Sequence, residues 1–230
     1  MPALDAYLFA KPPTPAPGFT LMGMSFVYQD GISDRGEDFN PAGVSWPGWG
    51  ESEADPVGNP FELPEGLELV GPFKNYNGSD PRDCDDKFEN DAVGVGELVQ
   101  LCFVVRNTTN QPIRLELPPG IIFKSRSRGI QNGVLMRKVA FEVPANTLFF
   151  QPLFLHCAKS NFDPSGHEEQ GYDMGPVQTH RAVQEIIDLI ADRQVDRWYF
   201  PIVSQAVTDL GNAGKVSART RCGLNALPRR

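Results

Sequence analysis

The residues most suited to chemistry lie in a polar stretch near the middle of the chain, where Ser165, His167 and Glu168 stand within four positions. A serine, an imidazole and a carboxylate are the groups of a hydrolytic triad, in which the histidine takes the serine proton. Adjacent positions in a loop do not provide the geometry of a triad, and no strand-turn-helix elbow surrounds this serine. We therefore interpret the stretch from Ala158 to Gly175 as a polar connector.

A second candidate is an acidic segment from Asp80 to Asp91, in which six of twelve residues are carboxylates. Hard cations such as Ca²⁺ take several oxygen ligands, and an acidic loop supplies them. The spacing departs from the EF-hand pattern, because Lys87 and Glu89 stand at expected ligand positions and no glycine provides the sharp turn. The sequence favours a solvated loop over a calcium site.

Histidine and cysteine are too sparse and too scattered to predict a zinc or redox site. The chain has three histidines and four cysteines, and none of the cysteines follow metal-ligand spacing. His156 is expected to be a strand residue that faces solvent. Cys102 and Cys157 fall in apolar runs and are either buried thiols, which we favour, or one bridge between strands. No phosphate-binding loop or dinucleotide fingerprint is present, so no cofactor is predicted.

Aromatic residues in an acidic region near the N-terminus are the predicted partner-binding residues. Between Asp30 and Glu68 the chain has ten carboxylates and one basic residue, Arg35. The same region holds four large rings, those of Phe39, Trp46, Trp49 and Phe61. Tryptophan is enriched at interface hot spots, whereas a solvating tail is typically poor in aromatic residues. Three alternatives stay open: the tryptophans fold back onto their own sheet, anchor in a neighbouring subunit, or stack on carbohydrate.

The framework for these candidates is the stretch from Glu97 to Cys157, in which β-rich runs alternate with turn residues. Ile113 to Leu117 alternates strictly between apolar and charged side chains, as a half-buried strand does. Further strands are predicted within Leu98 to Val105, Ile121 to Lys124, Val134 to Val143 and Asn146 to Cys157. Short strands at roughly ten-residue spacing, separated by Pro, Gly and Asn, predict an antiparallel sandwich of about six to eight strands.

The C-terminal part changes from a period of two to a helical period. Val183, Ile186, Ile187 and Ile190 lie at i, i+3, i+4 and i+7, which predicts an amphipathic helix that packs on the sheet. A second helix is predicted from Ile202 to Leu210, and Ser217 is placed to cap a short final helix. The predicted class is mainly β, or α+β, with two or three C-terminal helices.

The chain divides into three predicted segments: an extended arm at 1–66, a sandwich at 67–175 and a helical segment at 176–230. Ten prolines and nine glycines interrupt the arm, so we expect it to be dispensable for folding. Its one plausible strand, from Leu21 to Gln29, would place Met24, Phe26 and Tyr28 on one face.

Charge and hydropathy limit the classes of function. The net charge of −8 disfavours a nucleic-acid surface, which needs clustered lysine and arginine. No run is long enough for a membrane span, and no secretory signal is recognised. We expect cytoplasmic synthesis or release within a particle, or the cell surface if a signal was removed.

The function predicted from these features is that of a non-enzymatic structural subunit in a fibre, surface layer, capsid or phage-tail-like particle. Its arm would dock to neighbouring subunits, most simply copies of the same chain, because long segments without a core usually become ordered by contact. One alternative is a secreted or surface-exposed module that binds glycans or proteins. The other is an enzyme whose site is assembled from distant loops.

Overall fold

The computed structural model describes residues 46–75, 84, 91–96, 98–159, 162–166, 170–196 and 198–230. Most of the predicted arm at 1–66 lies outside these residues, including the partner-binding Phe39 and the strand from Leu21 to Gln29. Most of the acidic segment and the pair His167 and Glu168 also lie outside them.

The described residues form ten strands and three helices. The strands are β1 (Leu67–Leu69), β2 (Lys74–Asn75), β3 (Val93–Gly94), β4 (Val99–Asn107), β5 (Ile113–Leu117), β6 (Ile121–Ser125), β7 (Gly133–Val134), β8 (Val139–Val143), β9 (Leu148–Cys157) and β10 (Tyr172–Val177). The helices are α1 (Arg181–Ile190), α2 (Phe200–Ala213) and α3 (Ala218–Asn225).

Eight strands form one curled, half-barrel sheet in the order β1-β4-β9-β7-β6-β10, with β2 paired to β4 and β3 paired to β9. The pairs are antiparallel except β3 with β9. Phe73 and Tyr172 exchange two backbone hydrogen bonds of 2.8 Å, which link β10 to the chain just before β2. The antiparallel, mainly β class is confirmed. In place of two comparable sheets, one large sheet is accompanied by a two-stranded sheet of β5 and β8.

The long antiparallel pair of β4 and β9 sets the two faces of the large sheet. Its register runs from Val99 opposite Leu155 to Arg106 opposite Leu148. Side chains alternate along a strand, and Leu101, Phe103 and Val105 are fully buried on the inner face. The inner core is rich in rings, with Phe103 stacked on Phe73 at 4.9 Å between ring centroids. The sheet of β5 and β8 covers this core through Leu115, Leu117 and Val143.

The three helices cover a second core on the outer side of β6, β7 and β9. Ile122 and Val134 contribute to that core from the sheet, and Ala158 contributes from the position directly after β9. In α1 the residues Val183, Ile186 and Ile190 are buried, as predicted, while Ile187 is partly buried. No helix in the described ranges is both long enough and apolar enough to cross a bilayer.

One predicted connector contains a strand. The stretch from Ala158 to Gly175 looks polar in sequence, yet Tyr172 begins β10, which pairs with β6. The register shifts between Met174 and Val177, where Gly175 and Pro176 interrupt the regular pairing. Glycine and proline are typical of edge strands and bulges, and here they hide a strand from sequence patterns.

Candidate functional site

The two tryptophans predicted to bind a partner lie in a segment of residues 46–50, which we call the tryptophan segment. Trp49 is 1% exposed and belongs to the core beneath the helices. Its indole Nε1 donates a 2.9 Å hydrogen bond to Oε1 of Gln178, which is itself buried. A buried indole is normally satisfied in this way. Trp49 therefore folds back onto its own chain and has almost no ring surface for a partner.

Backbone contacts hold the tryptophan segment from several sides. Gly50 donates from its backbone N–H to the Ala158 carbonyl at 3.0 Å, and Asn132 Nδ2 donates to the Gly48 carbonyl at 2.9 Å. Gly50 has a φ of 58°, and a Cβ there would collide with the carbonyl oxygen of Gly211. Only glycine fits such a close backbone approach without displacement. The tryptophan segment is thus an integral part of the core between the helices and the large sheet, which we call the helix-sheet core.

Trp46 remains the more accessible of the two rings. It is half-buried and stacks on His180, with ring centroids 3.4 Å apart and planes at 30°. His180 is the N-cap of α1, and its Nδ1 accepts a 3.2 Å hydrogen bond from the Ala182 backbone N–H. Partial burial lowers the pKa of His180 below its ordinary value. Trp46 therefore couples the tryptophan segment to the start of α1.

Phe61, the third described ring of the predicted set, is half-buried against the inner core of the large sheet. Asn59 nearby exchanges two backbone hydrogen bonds with Val177, at 2.9 and 2.8 Å. The residues between the tryptophan segment and β1 therefore also contact the sheet.

A serine-histidine pair is present where the sequence did not indicate one. His156 lies on β9, and its Nδ1 is 2.8 Å from Oγ of Ser204 on α2. The prediction that His156 faces solvent is wrong, because α2 covers that face and leaves the ring 2% exposed. Burial lowers the pKa of His156 to about 3. An imidazole with that pKa is a poor general base near neutral pH, so the pair is better suited to joining β9 and α2.

Ser165, which would be the nucleophile of the triad considered from sequence, makes two hydrogen bonds to the main chain. Its Oγ accepts a 3.1 Å hydrogen bond from the backbone N–H of Gln100, and its own backbone N–H donates to the Leu98 carbonyl at 2.9 Å. These contacts attach the connector to the start of β4. A structural role explains the serine without catalysis.

Cys102 departs from both alternatives considered for it, whereas Cys157 is a free thiol, as the favoured alternative predicted. Cys102 forms a disulfide with Cys84. Burial raises the pKa of the Cys157 thiol to about 12, so it stays protonated and unreactive. The disulfide attaches the acidic segment to the outer side of β4, where Val104 packs against it.

No cluster of three or more potential metal ligands occurs within the described ranges. Most of the acidic segment lies outside them, so the calcium hypothesis stays untested. Two basic residues near the end of β6 form ion pairs: Lys124, within the strand, with Asp55, and Arg126, just after it, with both carboxylate oxygens of Asp173 at 2.8 Å.

Comparisons with known protein families, with curated proteins and with solved structures found no match to this chain.

Proposed function

We propose that this chain is a non-enzymatic structural subunit whose N-terminal arm docks to a neighbouring copy. The observation that carries the proposal is the anchoring of the tryptophan segment. Trp49 and Gly50 fix the chain at one place on the helix-sheet core, and 45 residues precede Trp46. A long segment attached to a rigid root can reach a second molecule without disturbing the fold that carries it.

The composition of residues 1–45 suits docking better than independent folding. The segment has six prolines and five glycines, which interrupt each apolar run before it reaches the length of a stable element. It nevertheless includes Met24, Phe26, Tyr28 and Phe39, whose burial away from water lowers the free energy. Such a segment folds against a surface that another body provides.

The test compares the full chain with a variant that lacks residues 1–39, so that the tryptophan segment and a short lead are kept. We expect the full chain to form concentration-dependent oligomers in sedimentation velocity, and the shortened chain to be a folded monomer. The same oligomer from both chains would overturn the proposal. A full chain that stays monomeric at high concentration would also overturn it.

A second candidate, a secreted or surface-exposed binding module, is favoured by the disulfide between Cys84 and Cys102. Stable disulfides occur mainly in oxidising compartments outside the reducing cytosol. Mass spectrometry after thiol alkylation of protein taken from its native cells distinguishes the two. Two alkylated cysteines indicate that the bridge exists in the cell, whereas four indicate a reduced chain and weaken this candidate.

A further inference from the structure

The end of the chain has a charge opposite to that of the whole protein. Residues 215–230 include five basic side chains and no aspartate or glutamate, in a chain of net charge −8. These five are Lys215, Arg219, Arg221, Arg229 and Arg230. A local excess of one sign creates a field that attracts partners of the other sign. The C-terminal region is therefore a candidate surface for an acidic partner.

Three arginines meet where the C-terminal tail returns to the end of α1, and we call this place the arginine corner. The backbones of Arg193 and Arg229 form an isolated antiparallel β-bridge. The Arg230 backbone N–H donates to the Asp192 carbonyl at 3.0 Å. The carboxylate of Asp192 lies 3.2 Å from Nε of Arg193 and 3.4 Å from Nε of Arg229. Arg193 and Arg229 thus flank the Asp192 carboxylate, and Nε of Arg230 donates to the Arg193 carbonyl at 3.2 Å, so three guanidinium groups meet one side-chain carboxylate.

The three guanidinium groups differ in accessibility. The Arg193 side chain is 14% exposed and donates from Nη1 to the Leu227 carbonyl, so it holds the tail in place. The Arg229 side chain is 75% exposed, and Arg230 is also exposed. A guanidinium has five N–H donors in a planar fork, which suits two-point binding of a carboxylate. Arg229 and Arg230 can therefore hold further acidic groups.

We infer that the arginine corner binds the acidic stretch from Asp30 to Asp38 of a neighbouring copy. This inference rests on the proposed function and names the surface that receives the arm. The stretch has four carboxylates, those of Asp30, Asp34, Glu37 and Asp38, against one basic residue, Arg35. Opposite net charges give the contact its complementarity, and the chain between Asp38 and the anchored Trp46 spans at most about 29 Å.

The physical signature of this contact is sensitivity to salt. Exposed ion pairs are individually weak, and dissolved salt screens the attraction between exposed charges, with a Debye length of about 10 Å at 0.1 M ionic strength. Several pairs formed together by one short stretch would still raise the association constant at low salt. We expect the dissociation constant of the oligomer to rise at least tenfold between 50 and 300 mM NaCl.

The first experiment reverses the charges of the arginine corner in the full chain. The double variant Arg229→Glu with Arg230→Glu should raise the dissociation constant, measured by sedimentation equilibrium, at least tenfold. A matched control, Lys74→Glu with Arg128→Glu, changes the net charge equally at two other exposed positions and should stay within twofold. Arg229→Ala with Arg230→Ala should show a smaller loss of affinity with an unchanged melting temperature, which separates lost binding from a disturbed tail.

The second experiment exchanges the charges between the two sides. The combined substitutions Asp30→Lys, Asp34→Lys, Glu37→Lys and Asp38→Lys should weaken association on their own. They should restore it when combined with Arg229→Glu and Arg230→Glu. If deletion of residues 1–39 abolishes the oligomer while both reversals leave it intact, the inference is wrong and the proposed function stands. Heparin serves as a probe for a different acidic partner. If the native chain binds heparin and the corner variants do not, while self-association is unchanged, the inference is wrong.

Discussion

Trp49 illustrates how a residue typical of interfaces can serve the core of its own chain. The ring is buried under the helices and its Nε1 is paired with Gln178. Replacing a buried large side chain by alanine leaves a cavity and costs about 3–5 kcal/mol. We expect Trp49→Ala to lower the free energy of unfolding by that amount in urea titration.

Two further variants give this prediction its controls. Trp49→Phe keeps most of the ring but leaves Oε1 of Gln178 without its donor, so a loss of about 1–3 kcal/mol is expected. Trp46→Ala removes a half-buried ring stacked on His180 and should cost less than Trp49→Ala. Equal effects of the alanine variants at 46 and 49 would contradict the different burial of the two rings.

His156 predicts a specific pH dependence of stability. Burial holds its folded pKa at about 3, whereas an unfolded histidine titrates near about 6.5. Below that value the unfolded chain binds a proton that the folded chain does not, so stability is full above the unfolded pKa and declines as the pH falls. The decline contributed by His156 is about 1.4 kcal/mol for each pH unit between the two values.

The measurement compares the native chain with His156→Gln in urea titrations from pH 7.5 to pH 4.5. The many carboxylates contribute similarly to both chains, so the difference between the two isolates the histidine. The glutamine variant should lose less stability on acidification. Parallel curves would show that His156 is protonated in the folded protein or is accessible to solvent.

Sequence reasoning at the scale of single residues failed where the answer depends on distant contacts. The sequence predicts that His156 is a strand residue, and it lies on β9, but the sequence does not reveal that α2 covers that face. The partner of Cys102 was missed for a similar reason, because Cys84 lies in a segment without strand pattern. The buried indole of Trp49 forms its hydrogen bond with Gln178, which is 129 positions away in the sequence.

Helix α1 gives a prediction at the scale of elements. Sequence spacing places Ile186 and Ile187 on the same apolar face, but Ile186 is fully buried and Ile187 is only partly so. A buried, unpaired carboxylate costs several kcal/mol unless it is neutralised. Ile186→Asp should therefore prevent cooperative folding, whereas Ile187→Asp should give a soluble protein with a lower melting temperature. Equal severity in thermal scans would show that both side chains face the core.

The disulfide between the acidic segment and β4 gives a second prediction at this scale. Closing a loop between residues 18 positions apart removes entropy from the unfolded chain, worth about 3 kcal/mol. The double variant Cys84→Ala with Cys102→Ala should lose stability of that order by urea titration. Cys222→Ala removes an exposed free thiol and should have little effect. A double variant as stable as the native chain would show that the bridge does not constrain the unfolded state.

The elements were predictable where the pattern is local. The five residues of β5 alternate in sequence as they do in the structure, and the apolar face of α1 follows its helical spacing. The order of strands in the sheet was not predictable, since β4 pairs with β9 across forty intervening residues. The strand β10 was missed because its glycine and proline resemble a loop.

At the scale of the whole molecule, the residues just before the sheet belong with the sheet. A core that needs Trp49 from one part of the chain and Gln178 from another is stabilised only when both are present. The same holds for Asn59 with Val177, and for Phe61 with the inner core. The separation between a dispensable arm and the folded body is therefore expected before Trp46 rather than at residue 66.

Two truncations test where that separation lies. A chain that starts at Asn40 keeps every contact named above and should melt cooperatively near the temperature of the full chain. A chain that starts at Glu65 loses the Trp49 indole, the Asn59 backbone pair and the Phe61 ring, and leaves Gln178 buried without its donor. The combined loss should exceed about 5 kcal/mol, which is the whole stability of many domains. We expect the shorter chain to be aggregated or unfolded by circular dichroism, and a cooperative melt from it would show that residues 46–64 are an accessory of the fold.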